Sequence, residues 1–363
     1  MTIGVITTSY PRTAGDSAGN FVAGHVTALR RLGHSVDVIA AGTTTDDTLT
    51  GVTRIESSLF YRGGAPDELE RHPLRALPSA AVFFARLTAA VMHHAPRWDS
   101  IVAHWLAPSA LAALPARKPL LAIAHGGDIH TLRRMHLLEP ALSALRVRGA
   151  RIAFVSAELK LLAQRVAPRI AGWLDAAVVQ PMGLDVSRFT ALDPAPTTPP
   201  TILIATRLVE LKGVDVAIDA LGYLGHRARM VIAGDGPTRA TLEARAHGRA
   251  CFVGVVDADH RDRLLSDASV VVVPSRVSRN GRTEGMPMIA LEALAAGVPV
   301  VASAVGGLPE LAPAVRLVPP DDARSLASAI DHVLADPPAR HQLRSAVAHL
   351  DWAAVAPRLV RTW

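Results

Sequence analysis

Glu284 and Glu292 stand eight residues apart in the stretch NGRTEGMPMIALEALAAG, residues 280–297. The stretch starts as a polar loop and turns at Pro287 into an Ala/Leu-rich run that stops at Gly297. Pro near the first turn and Gly past the last are helix boundaries. A loop feeding such a start aims backbone N–H groups and the positive end of a dipole at an anion such as phosphate. Both carboxylates can accept hydrogen bonds from hydroxyl groups, Glu284 from the loop and Glu292 from the helix. Upstream, in ILIATRLVELKGV (202–214), Arg207 and Lys212 follow an apolar run and open the next helix. Two cations there suit a diphosphate. Only three lysines occur in the chain, Lys118, Lys160 and Lys212. In the first half His125-Gly126-Gly127-Asp128 directly follows the run 120–124, where glycines let a ligand approach the backbone. A histidine that merely caps its strand is the plainer reading of His125, and a solvated pair that of Arg207 with Lys212. The remaining histidines show no pair at metal-ligand spacing.

Rival chemistries find less support. Gly15-Asp16-Ser17-Ala18-Gly19 is a literal G-x-S-x-G, and with His125-Gly126-Gly127 it resembles the elbow and oxyanion loop of α/β-hydrolases. That elbow needs the strand to enter the first Gly directly, whereas residues 11–14 intervene, and the two motifs stand in reversed order. No G-x-G-x-x-G follows the first strand, and no lysine follows a glycine, which excludes a P-loop.

The elements that must position these residues alternate throughout, apolar runs with helical patterns, as parallel βαβ units do. Strands are expected at 3–8, 35–40, 100–104, 120–124, 152–156 and 176–180, with 41–75 polar and irregular around a Gly63-Gly64 turn and with 11–20 and 129–148 also read as loops. Residues 193–200 hold four prolines and read as a linker. Beyond it the alternation restarts with strands at 202–205, 229–233, 251–253, 270–273, 298–302 and 314–318. The expected class is α/β, two Rossmann-like doubly wound domains facing a central cleft. Their spans are 1–190, with a terminal helix about 346–363 packing back on it, and 191–345. Ligands in such sheets sit outside the carboxyl ends of strands.

At 363 residues the chain is long enough for two domains. No apolar run approaches a bilayer span of about 18–20 residues. The opening MTIGVITTSYP has no basic n-region, so no signal peptide is expected. The lone Cys251 gives no disulfide framework. These features predict a cytoplasmic protein. The net charge of +6 comes with no Arg cluster interleaved with aromatics, so no nucleic-acid partner is expected. Leu132–Arg151 mixes arginines with Leu and Met, which predicts a weak peripheral contact with the inner face of a membrane.

Taken together, these motifs resemble retaining glycosyltransferases of the two-Rossmann GT-B architecture, glycosyltransferase family 4, over nearly the whole chain. Arg207 to Gly213 is similar to the family's diphosphate loop. The segments 233–237 and 252–254, with Gly234 and Val253, resemble those lining the nucleotide base. Val273 through Glu284-Gly285-Met286-Pro287-Met288 to Glu292 resembles the E-x7-E element, and 300–310 its continuation. Gly19-Asn20-Phe21, His104-Trp105-Leu106 and His125 to Asp128 are similar to amino-terminal positions, 183–189 to the interdomain junction, and Trp352 to an aromatic of the last helix. Ala18-Gly19-Asn20 departs from the family's double glycine. Residues 277–282 resemble an insertion common in enzymes that build extracellular polysaccharides.

The resemblance implies transfer of a hexosyl unit from a nucleoside-diphosphate sugar to a sugar, lipid-linked or small-molecule acceptor, with retention and without a metal or other cofactor. Arg207, Lys212 and the helix start at Gly285–Met288 would hold the diphosphate. Glu284 would orient the sugar, Glu292 the ribose, and His125 the sugar's primary hydroxyl or the phosphate. A non-catalytic nucleotide-sugar-binding subunit is the alternative.

Overall fold

The computed structural model describes residues 1–13, 16, 18–42, 51–57, 59, 73–195, 197–225 and 227–360. The chain divides into two units, Met1–Gly183 with Trp352–Trp363, and Leu184–Asp351. In the first, short apolar runs form β1 (Thr2–Thr7), β2 (Ser35–Ala41), β3 (Val52–Ile55), β4 (Ser100–His104), β5 (Leu120–Ala124), β6 (Arg151–Phe154) and β7 (Val178–Val179). They pair in the order β3-β2-β1-β4-β5-β6-β7, and every pairing is parallel. Every residue of β4 and β5 is buried, as expected of parallel strands covered on both faces. The strand order reverses between β1 and β4, which opens a crevice at their carboxyl ends.

The second unit repeats the plan with β8 (Thr201–Ala205), β9 (Arg229–Ala233), β10 (Ala250–Gly254), β11 (Val270–Val273), β12 (Val300–Ser303) and β13 (Val315–Val318). Their order is β10-β9-β8-β11-β12-β13, again parallel throughout. The reversal here falls between β8 and β11. Its core gathers Ile204, Ile232, Val272 and Val301 of the sheet with Ile218 and Ile330 from helices Val214–Ala220 and Ala323–Ala335.

Four expectations need correction. The stretch 41–75, expected to be irregular, contains β3, an edge strand whose residues are all half-buried. The segment around 129–148 is two helices, Gly127–Arg134 and Leu138–Val147. The Pro-rich stretch 193–200, expected to be a linker, lies inside the second unit, where donors from a later helix hold Pro194 and the residue just ahead of the stretch, Leu192. Arg340 Nη2 donates to Pro194 O at 2.6 Å and Arg344 Nη2 to Leu192 O at 3.1 Å. The terminal helix, Trp352–Val360 among the described residues, begins at Trp352 rather than about 346, and a separate helix Arg340–Val347 precedes it. In the first unit Trp352 stacks on His25, with ring centroids 5.2 Å apart. It occupies the space that a Cβ would fill at Gly24 and Gly183. Gly15, Ser17 and the Gly63-Gly64 turn lie outside the described residues. Among those described, no helix is long and apolar enough to cross a membrane.

Candidate active site

In the second unit the residues singled out in the sequence emerge at the carboxyl ends of strands, around the β8/β11 reversal. The chain leaves β8 through Arg207 and a short turn, Glu210–Lys212, into Gly213. Gly213 has φ +61°, and a Cβ there would stand 1.9 Å from Pro274 O, just past β11. Absence of a side chain lets the two loops touch, and Arg276 N donates to Leu211 O at 3.0 Å. This contact brings Lys212 to Glu284, with Nζ 2.6 Å from Oε1. Ser275 Oγ donates to the same oxygen at 3.1 Å.

Burial pushes the Glu284 carboxyl up, but the Lys212 ammonium, the Ser275 hydroxyl and the Arg207 charge outweigh it, and the net shift is downward. Glu284 is therefore ionised across the neutral range. An ammonium carries three donors, so the pair leaves two on Lys212, and it leaves Glu284 with its second oxygen.

The loop that carries Glu284 is fixed from the other side by the exit of β12. Gly307 N donates to Gly285 O at 2.9 Å, and a Cβ on Gly306 (φ +59°) would meet Glu284 O at 2.2 Å. The helix Met288–Ala296 then begins at Pro287 with no side-chain cap and no acid in its first turn. Met286, Met288 and Ile289 are half-buried, while everything from Ala290 to Ala296 is buried. Apart from Glu292 the helix is apolar on all sides, as a core helix is, and its amino end is what remains to meet an anion. It ends in a Schellman turn at Gly297, where Val298 N donates to Ala293 O at 2.8 Å. That turn delays β12, expected from 298, to Val300.

Glu292 is held differently. Arg261 Nη1 lies 3.1 Å from its Oε1. Arg261 itself sits over the Phe189 ring at 5.3 Å and pairs with Asp262, to which Arg188 donates at 2.7 Å. Burial here outweighs the Arg261 charge, and the Glu292 carboxyl is shifted upward. Two carboxylates on one motif are thus displaced in opposite directions, Glu284 by close partners and Glu292 by desolvation.

Arg261→Leu removes the larger of the two cation attractions on Glu292, leaving that of Arg188, and is expected to destabilise the fold by about 3 kcal/mol. The folded carboxyl then holds its proton above the ordinary Glu range while the unfolded one has lost it. Stability therefore falls as pH rises through that window. Urea melts at pH 5 and pH 8 read this: a larger deficit at pH 8 is expected, and an equal deficit contradicts the assignment.

Gly234 follows β9 and donates from its N–H to Gly254 O at 2.6 Å, while Val253 lies half-buried on β10. Lys212, Ser275 and Glu284 therefore form one cluster on the second unit, with Gly285, Met286 and Met288 following Glu284 along the chain and Arg207 close enough to act on Glu284 electrostatically. Glu292 belongs to the separate Arg261 network.

Gly19 and His125 belong to the first unit. Gly19, at φ +70°, precedes the helix Asn20–Arg31. His125 leaves β5 beside Asp128, whose Oδ1 accepts from His125 N at 3.2 Å and Gly126 N at 3.0 Å, and whose Oδ2 accepts from Leu106 N at 2.6 Å. The His125 ring lies 4.7 Å from the Trp105 ring and 5.1 Å from the Phe21 ring. Its Nε2 is 3.0 Å from His104 Nδ1, and His104 Nε2 is 3.1 Å from His25 Nδ1. Burial, then the His25 charge, brings the His125 pKa down to about 3, so the ring is neutral.

Sequence reading missed Arg261 and His25. Arg261 sits in a charged helix segment that reads as a solvated face, and His25 in an amphipathic helix. The available signal was that His104 and His125 end neighbouring strands of a parallel sheet. Among the described residues, no group of three or more His, Cys, Asp or Glu side chains is placed to hold a metal ion.

Comparison with known proteins bears on this arrangement. Residues 199–336 match the family model described as Glycosyl transferases group 1. The chain is 32% identical over 250 residues to a putative colanic acid biosynthesis glycosyltransferase of Escherichia coli K12, covering 64% of this chain and 60% of that protein. It is 31% identical over 266 residues to a GDP-mannose-dependent alpha-(1-6)-phosphatidylinositol monomannoside mannosyltransferase of Mycobacterium tuberculosis, covering 66% of each. The matched region thus spans less than two thirds of these relatives' length. By structure it is similar to sucrose-phosphate synthase from Thermosynechococcus elongatus, with TM-score 0.73, 23% identity, and 99% and 98% of the two chains covered. Anabaena HepE in complex with UDP-glucose gives TM-score 0.71 at 18% identity, covering 100% of this chain and 99% of that one. The structural likenesses show the fold, which is GT-B.

Proposed function

The chain belongs to the glycosyl transferases group 1 family, and from that premise we propose that it is a retaining, metal-independent glycosyltransferase. It moves a hexosyl unit from a nucleoside-diphosphate sugar to the hydroxyl of a sugar, lipid-linked or small-molecule acceptor. The observation that carries this reading is the Lys212–Glu284 pair at the β8/β11 reversal, four residues ahead of the uncapped start of Met288–Ala296.

In the proposed reaction the bond from the anomeric carbon to the diphosphate oxygen breaks and a bond to the acceptor oxygen forms on the same face. The acceptor proton passes to the departing phosphate oxygen, and the nucleoside diphosphate leaves. Negative charge grows on the diphosphate, where Lys212, Arg207 and the helix start would meet it. Each such preorganised contact is worth about 2–4 kcal/mol in the transition state. That supply of positive charge is the reason for proposing that no divalent metal is needed. Glu284 would take a sugar hydroxyl with its second oxygen, and Glu292 the ribose with its own. Gly234 and Val253 would line the base. In the first unit, His125 would contact the sugar's primary hydroxyl or a phosphate, and Gly19 would offer backbone to the donor.

The test is a panel of UDP-, GDP- and ADP-sugars, read by thermal shift and by release of nucleoside diphosphate, with and without EDTA. Binding and release with one donor, unchanged by EDTA and giving an α-linked product from an α-linked donor, is expected. Binding without release under any acceptor tried would favour a non-catalytic binder. Loss in EDTA restored by Mg²⁺ would overturn metal independence.

A further inference from the structure

Three histidines of the first unit form a chain that ends on His125. His25 Nδ1 meets His104 Nε2 at 3.1 Å, and His104 Nδ1 meets His125 Nε2 at 3.0 Å. At these separations each contact is a hydrogen bond with one proton between two nitrogens. A neutral imidazole has one N–H and one bare nitrogen, so the two bonds must run in the same direction along the chain. Two arrangements satisfy this. Either every ring carries its proton on Nδ1 and donates toward His125, or every ring carries it on Nε2 and donates toward His25.

The inner end of the chain distinguishes them. His25 is fully buried, its ring lies flat against Trp352 at an interplanar angle of 5°, and its Nε2 has no hydrogen-bond partner. In the first arrangement that orphan is a bare nitrogen. In the second it is an N–H sealed in apolar surroundings. Buried donors left unpaired are the rarer of the two, and an unmade bond of this kind costs about 1–3 kcal/mol. Burial keeps all three rings neutral, with His25 brought down to about 4 and His104 well below its ordinary value.

We infer that His25 and His104 are positioning residues that lock His125 in the Nδ1–H tautomer, so that its outer nitrogen is a fixed hydrogen-bond donor. Among the described residues no protein group takes that Nδ1, and the ring is only half-buried. A donor held there suits an oxygen that gathers negative charge or lone-pair density, such as a phosphate oxygen or a sugar hydroxyl oxygen. It does not suit the role of general base, because the bare nitrogen is already occupied by His104. The tautomer follows from the chain alone, whereas the identity of the oxygen rests on the transferase reading.

The test reads the tautomer directly, by two-bond ¹H–¹⁵N correlation on the full chain labelled with ¹⁵N-histidine at pH 7. Expected are three neutral Nδ1–H rings in the wild type, against the Nε2–H form that free histidine prefers. In His104→Phe the His125 ring should revert toward Nε2–H. Should that variant fail to fold, His25→Leu, which leaves both outer rings in place, should turn His104 and His125 into tautomer mixtures. An Nε2–H pattern at His125 in the wild type overturns the inference, as does a His125 pattern unmoved in a folded variant. Loss of turnover with every wild-type tautomer as expected would instead count against the transferase reading.

Discussion

Lys212→Met lowers kcat/KM for the nucleoside-diphosphate sugar by about 30- to 1000-fold, the equivalent of one transition-state contact of about 2–4 kcal/mol. Steady-state kinetics measures it, with circular dichroism to show that the variant folds. The size follows from where the ammonium sits. Its side chain is 17% exposed, 2.6 Å from Glu284 and at the carboxyl end of β8, so little water is present to replace it. The same change leaves a buried carboxylate with only Ser275 and the Arg207 charge to hold it.

In the wild type the depressed Glu284 pKa contributes stability above the unfolded Glu value, and that contribution is lost as pH falls through the folded value. The stability gap between wild type and Lys212→Met is therefore widest at neutral pH and closes on acidification. Lys212→Met/Glu284→Gln removes the stranded charge, so it recovers much of the stability and none of the turnover. Near-wild-type kcat/KM in either variant contradicts a phosphate role for Lys212.

Gly213→Ala produces the second large effect, a loss of about 3 kcal/mol in stability together with at least a tenfold loss in turnover. The left-handed conformation at φ +61° already disfavours a side chain, and the new methyl would sit 1.9 Å from Pro274 O. The loop after β8 must then move off the loop after β11, which pulls Lys212 away from Glu284 and Ser275. Gly248→Ala is the control, because its φ is +76° but no atom lies within 4 Å of the added carbon. That variant should lose only the conformational part, about 1 kcal/mol. Equal losses in the two variants, measured by urea denaturation, would show that the Pro274 contact carries nothing.

Legibility of the fold from sequence varied with burial. The ranges expected for β4, β9 and β11 agree with the structure to the residue, because a buried parallel strand is an uninterrupted apolar run between polar ends. β3 escaped notice because an edge strand with every residue half-buried has no such run. The helices Gly127–Arg134 and Leu138–Val147 are short and follow the glycines of His125-Gly126-Gly127-Asp128, so 129–148 shows no clear pattern in sequence. The glycines do turn the chain, and Asp128 then caps that turn through backbone N–H groups.

At the site, motif spacing identified Arg207, Lys212, Glu284 and Glu292 but not how they pair. That Lys212 binds Glu284 depends on two strand exits meeting across the β8/β11 reversal, which local sequence does not encode. The Arg261 partner of Glu292 and the His25 end of the histidine chain are contacts of the same kind, made only once helices lie on their sheets.

A diphosphate site at Lys212 in the second unit is the central claim. Thermal melting of wild type and Lys212→Met with UDP, GDP and ADP, their monophosphates and their sugars tests it most directly, since a ligand at a hundred times its Kd stabilises by about 2.7 kcal/mol. One nucleoside diphosphate is expected to raise the wild-type Tm by several degrees, its monophosphate to leave it unmoved, and Lys212→Met to abolish the difference. A Tm unmoved by every diphosphate, or moved equally in the variant, would contradict it.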